Sequence, residues 1–152
     1  MAVRPVVLAP DPVLSQVCAP VERFDGALGD LAMDLIQTLY AAEGRGLAAP
    51  QIGVAARIFV TDTTWKEGAP SPMVFVNPEI IAAAAEMAEY EERCLSIPGQ
   101  PVRIKRPRWV ELRWQSLSGQ TQQARFGGFD AVCVQHERDH LDGILITDGM
   151  AA

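Results

Sequence analysis

The pentapeptide His136-Glu137-Arg138-Asp139-His140 constrains this chain more than any other feature. It contains the only two histidines in 152 residues. On a helix, residues four apart stand one above the other, roughly 5–6 Å between Cβ atoms. Two imidazoles placed this way can bind one metal ion from a single rigid element. A glutamate beside the first can reach a water that the ion activates. A structural zinc site usually has four protein ligands and needs no adjacent base, so Glu137 argues for a hydrolase over a metal-containing binding module. Phe129, Val132, Cys133, His136 and His140 fall on one face. This predicts a helix from about Asp130 to Leu141, with that face turned inward and Gly143 just past its stop.

Two histidines leave the ion short of protein ligands, since even an open catalytic site has three. Three cysteines compete for the place. Cys94, in Glu91-Glu92-Arg93-Cys94-Leu95-Ser96, is the first candidate, although a plain core role is open to it because cysteine is among the most buried residue types. Cys133 lies three residues before His136 and reads as the apolar wall of the site. Cys18 follows Leu14 and Val17 and reads as core. An odd number of cysteines does not fit a disulfide framework. A third segment, Gly44-Arg45-Gly46-Leu47-Ala48-Ala49-Pro50-Gln51, has small residues that let backbone approach a ligand. Gln51 can donate a side-chain N–H to an oxyanion. Taken alone, the same stretch reads as a helix stop and a loop.

The remainder predicts an α+β domain spanning residues 1–152. Leu28, Leu31, Ala32, Leu35 and Leu39 form an apolar stripe on a helix between Asp25, which caps its start, and Gly44, whose left-handed conformation ends it. Residues 57–61, 73–81 and 109–114 are rich in β-branched and aromatic side chains and read as strands. Ser116–Gly119 reads as a hairpin turn. Residues 79–88 are ambiguous, because their alanines favour helix on propensity.

A formal net charge of −6 does not suit a partner made of phosphates. The cluster Arg103, Lys105, Arg106 and Arg108 reads as a solvated strand edge, where charge also blocks unwanted pairing. No stretch approaches the roughly 20 apolar residues of a membrane span. Pro10, Asp11 and Pro12 interrupt the early apolar run, so no signal peptide is expected and the reducing cytoplasm is the expected compartment.

Together the three segments resemble the peptide deformylases. That family carries G-x-G-L-A-A-x-Q, E-G-C-L-S and Q-H-E-x-D-H in order. Here they stand as Gly44–Gln51, Glu92–Ser96 and Gln135–His140, at comparable spacing. Pro10-Asp11-Pro12-x-Leu14, Phe24-Asp25 and Pro50-Gln51-Ile52-Gly53 extend the resemblance over nearly the whole chain. It implies an α+β fold with antiparallel strands around a central metal-binding helix. It also implies one divalent ion on Cys94, His136 and His140, with Fe(II) the cellular ion and Ni, Co or Zn as substitutes. The implied activity removes the formyl group from N-terminal formylmethionine and releases formate. Glu137 is then the acid and base, while the Gln51 side chain and the Leu95 backbone N–H hold the formyl oxygen. The peptide is expected against Gly46, Arg45, Arg93, Tyr90, Phe129, Val132 and Cys133. A monomer that meets the ribosome only transiently, and neither nucleic acid nor membrane, completes the expectation.

Two residues depart from the family pattern. Arg93 stands in place of the glycine before the cysteine, and Arg45 in place of an aliphatic residue between two glycines. An arginine is always charged and has a long stem. It can clasp an acidic group, or lay its stem on the surface with its head in water. The first option favours a paralogue acting on an acidic or other small N-acyl substrate; the second leaves an ordinary deformylase. The chain ends at Ala152, where many family members continue into an extension that in some helps dock on the ribosome.

Overall fold

The computed structural model describes residues 2–148. Asp11 caps a 3-10 turn at Pro12–Ser15, and α1 follows at Gly26–Ala41. Asp25 caps α1 as the sequence predicts, its side chain accepting from Leu28 N. The end of α1 differs. The left-handed residue is Glu43, at φ 57°, not Gly44. Gly44 is already extended toward the site, and a Cβ there would lie 2.7 Å from Leu95 Cδ1. Gly44 is thus a point of close approach to Leu95 and not the helix stop.

Seven strands follow: β1 Gly46–Ala48, β2 Ile58–Thr61, β3 Met73–Ala83, β4 Met87–Cys94, β5 Ile97–Pro107, β6 Trp109–Gln115 and β7 Thr121–Gly127. A 3-10 turn at Ala49–Ile52 separates β1 from β2, and α2 closes the series at Gly128–Leu141. Five strands make one antiparallel sheet in the order β1-β2-β3-β6-β7, while β4 and β5 form a separate antiparallel hairpin. The alanine-rich stretch is therefore strand and turn, because pairing of Ala82 and Ala83 with β6 overrides their helix preference. The register between β3 and β6 shifts between Val76 and Glu79. Pro78 has no N–H to give the ladder. Asn77, at φ 50°, turns its side chain to Val21 and Gln115 instead. The hairpin turn between β6 and β7 falls where expected, with Gly119 at φ 84°.

β2 is buried on both faces. Ile58 and Val60 pack with Leu28, Ala32, Leu35 and Leu39 of α1, whereas Phe59 packs with Phe75, Leu112, Trp114 and the α2 residues Val134 and Leu141. The two helices thus cover opposite faces of the sheet. A third cluster, with Leu14, Cys94, Ile97, Leu145 and Ile146, packs the β4–β5 hairpin against the first 3-10 turn and the segment after α2. Cys18 belongs to the core, as expected. No helix among the described residues is long and apolar enough to cross a membrane.

Candidate metal centre

His136 and His140 lie on the buried face of α2, their rings 5.0 Å apart. Cys94 ends β4, and the two-residue turn Leu95-Ser96 leads directly into β5. The hairpin brings this thiol to the helix. Cys94 Sγ lies 3.4 Å from His140 Nε2, and one donor atom from each of Cys94, His136 and His140 falls within 4.8 Å of the others. With bonds of about 2.3 Å to sulfur and 2.1 Å to nitrogen, tetrahedral donors stand about 3.4–3.6 Å apart. One thiolate and two imidazoles, all buried, therefore fit a divalent transition-metal ion. Cys18 and Cys133 are not part of this group. Burial pushes the Cys133 thiol well up, as suits a wall residue.

One of the two histidines is held from behind. His136 Nδ1 lies 3.0 Å from Glu92 Oε1, which directs its other nitrogen to the site. Glu92 receives a two-pronged guanidinium from Arg106, at 2.5 and 2.9 Å, and Arg106 also reaches Asp139 at 2.9 Å. Burial opposes the charge of Glu92, but His136 and Arg106 outweigh it and hold its carboxyl below the usual range. Arg106 is itself buried, so it does not belong to a solvated edge with Arg103 and Arg108. Those two are exposed and pair with Glu89 and Glu86.

The remaining groups converge on the same point. Gln51 is buried, and its Oε1 accepts from Ala48 N. Its Nε2 donates to Ser96 Oγ at 3.1 Å and lies 3.7 Å from Cys94 Sγ. Glu137 Oε2 is 4.0 Å from His136 Nε2, while Glu137 Oε1 is buried without a hydrogen-bond partner. A carboxylate oxygen left this way is costly unless another group comes to it. Burial pushes the Glu137 carboxyl up to about 7. Burial lowers the proton affinity of His136, but Glu137, Cys94 and Glu92 more than reverse this and raise it to about 10. His140 goes the other way, held well down by burial and by His136. A proton and a metal ion compete for the same lone pairs, and the acidic surroundings that raise His136 also favour a cation there, while His140 stays free of the proton.

Cys94 and His136 open on a cavity of about 490 Å³, with His140 buried behind them. Gly46, Arg45, Arg93, Tyr90, Phe129, Val132 and Cys133, all expected to face a substrate, line it together with Gln51, Leu95 and Glu137. Glu43, Lys66 and the segment 97–100 line it as well and had no signal in the sequence reading.

The polypeptide deformylase family model matches residues 3–152. The chain belongs to the polypeptide deformylase family. It is 44% identical over 148 residues to a peptide deformylase of Mesorhizobium japonicum, covering 97% of this chain and 84% of that one. A peptide deformylase of Brucella suis is 45% identical over 149 residues, with 97% and 85% covered. Among solved structures, a peptide deformylase from Legionella pneumophila is similar at a TM-score of 0.93 and 38% identity, covering 99% of this chain and 87% of that chain. The peptide deformylase from Thermotoga maritima is similar at 0.92 and 36%, with both chains covered in full. Deformylases are metal-dependent hydrolases, which agrees with the Cys94, His136 and His140 donor group.

Proposed function

We propose that this chain removes the N-formyl group from N-terminal formylmethionine of nascent peptides, with Cys94, His136 and His140 holding one divalent ion and Glu137, Gln51 and Leu95 acting on the formamide. The observation that carries the reading is the convergence of three soft and borderline donors with a buried, half-partnered Glu137 at the wall of one cavity. A divalent ion at these donors supplies Lewis acidity that makes water a nucleophile at neutral pH. Glu137 takes the proton from the attacking water on its carboxylate. Gln51 Nε2 and the Leu95 N–H then hold the formyl oxygen as it gains charge. Glu137 returns the proton to the leaving nitrogen as the C–N bond breaks, and the products are formate and a free amino terminus.

Fe(II) is the cellular ion in this reading, and Ni, Co and Zn suit the same donors. Gly46, Arg45, Arg93, Tyr90, Phe129, Val132 and Cys133 take the peptide. The enzyme works in the cytoplasm as a single-domain monomer that meets its substrate transiently at the ribosome. The relatives do not favour a paralogue directed at another N-acyl group. The decisive measurement is formate release from a formyl-Met-Ala-Ser peptide by protein loaded anaerobically with Fe, Ni or Co. Release by the loaded protein and none by the chelated protein is expected; no release with any of the three ions overturns the reading.

A further inference from the structure

We infer that Trp65 and Asp62, in the loop over residues 62–72 between β2 and β3, are positioning residues that fix the Gly44-Arg45-Gly46 wall of the substrate cavity. The inference rests on the function proposed above, in which this wall flanks the peptide. The wall lies close against two residues of the proposed site. A Cβ on Gly46 would lie 2.5 Å from Glu137 Oε2, and one on Gly44 would lie 2.7 Å from Leu95 Cδ1. The backbone therefore passes between the acid–base carboxylate and the residue assigned to the formyl oxygen. Strand pairing secures only part of it, because the β1–β2 ladder begins with Gly46 opposite Thr61.

The two carbonyls before that point are held by the loop instead. Trp65 Nε1 donates to Gly44 O at 2.8 Å, and Asp62 N donates to Arg45 O at 2.9 Å. The buried carboxylate of Asp62 anchors the loop that carries both donors. Asp62 Oδ2 accepts from Tyr40 Oη at 2.6 Å and from Ser71 N at 2.7 Å, so it ties the loop's far end to its start and to α1. The Tyr40 ring meets the Trp65 indole edge-on, with centroids 5.2 Å apart. Arg45 closes the arrangement from the other side through Glu67, at 2.7 Å. Burying a carboxylate is costly unless hydrogen bonds replace its water. Here those bonds come from a phenol and from loop backbone, and they fix the segment that holds the Gly44 and Arg45 carbonyls.

Neither Trp65 nor Asp62 is among the metal donors, so their loss should act on peptide binding and not on the ion. Trp65→Phe keeps a ring against Tyr40 and deletes the N–H. Tyr40→Phe keeps a ring against Trp65 and deletes the bond to Asp62. The test is steady-state hydrolysis of formyl-Met-Ala-Ser by nickel-loaded protein, with nickel content and Tm measured on each variant. Trp65→Phe is expected to raise KM about threefold to tenfold, as the loss of one such bond allows, with kcat and nickel content held. Tyr40→Phe is expected to shift KM the same way by less. The dissociation constant of the peptide on nickel-loaded Glu137→Gln protein, with and without Trp65→Phe, should change by the same factor. A lower Tm with KM and dissociation constant unchanged overturns the inference, as does a loss of kcat or nickel at constant KM. If the parent enzyme releases no formate, the proposed function falls, and the binding ratio alone decides this inference: a threefold rise sustains it and equality overturns it.

Discussion

α1 and α2 lie on opposite faces of one sheet, and α2 buries the larger share of polar groups. α1 presents Leu28, Ala32, Leu35 and Leu39 to Ile58 and Val60, a face that gains by leaving water. α2 buries Gln135, His136, Glu137 and His140, polar groups that lose by leaving water unless partners replace it. Those partners come largely from the β4–β5 hairpin: Glu92 for His136, Cys94 for His140, and Pro107 O for Gln135. α1 could be rebuilt from many apolar sequences. α2 also packs Val134 and Leu141 into the core, but its polar groups are matched only because a separate hairpin brings partners to them, and Glu137 keeps one oxygen unmatched. The chemistry is concentrated where the packing is least self-sufficient.

The largest effect that can break this contrast is loss of the ion. Cys94→Ala, His136→Ala or His140→Ala should each abolish stoichiometric binding, because three protein ligands leave no spare. Elemental analysis of each purified variant checks this. Full occupancy without Cys94 would move the third position elsewhere and detach the hairpin from the chemistry. Next in size is Glu137→Gln, which should retain the metal and lose about 10²–10⁴-fold in kcat, the usual contribution of general acid–base help. Turnover at the parental rate would remove Glu137 from the reaction.

On α1 the expected response is of a different kind. Leu35 is fully buried, and Leu35→Ala should cost about 2–5 kcal/mol of stability, read from denaturant unfolding. The kcat of the folded, metal-loaded fraction should stay at the parental value. A matching fall in kcat would show that the two faces of the sheet are coupled and that the contrast is false.

The same contrast explains what was legible in the sequence. The α1 stripe, the β6 alternation and the α2 face are periodic patterns, and each appears where periodicity puts it. The two histidines stood out because there are no others, and Cys94 because of the residues around it. The hairpin's contribution was harder to see. Arg106 looked like one of four basic residues at an edge, yet along β5 it is in phase with Val102 and Ile104, which are partly buried, and out of phase with exposed Arg103 and Lys105. That alternation was a readable signal of burial. Its acidic partner was not, because only the register of β4 against β5 and the approach of α2 select Glu92. Residues 79–88 stayed ambiguous for the opposite reason: alanine's helix preference is small beside a ladder to β6, which only the fold supplies. The loop over 62–72 carries no period at all, and its role depends on contacts to Gly44 and Arg45 that only the folded chain makes.

The smallest expected effect sharpens the contrast at the rim of the cavity, where the two arginines depart from the family. Arg93 follows Glu92 and precedes Cys94, but strand alternation sends those two inward and Arg93 outward. Its side chain is 74% exposed and pairs with Glu91 at 3.0 Å. Arg45 is more confined: it pairs with Glu67 at 2.7 Å and lies 5.5 Å from the centre of the Phe129 ring. Each added positive charge thus has its own glutamate, and the cavity rim is less recharged than the arginines alone suggest. Solvent-exposed pairs of this kind contribute little, and their removal changes little. Arg93→Gly is therefore expected to leave kcat/KM on a neutral formyl-Met peptide within about twofold. The double variant with Arg45→Ile should shift the ratio between matched acidic and neutral peptides by no more than about fivefold. Kinetics on that peptide pair decide the matter. A larger shift toward the neutral peptide would mean that the guanidinium groups leave their glutamates to read substrate charge. Specificity would then reside in the rim as well as in the buried face of α2.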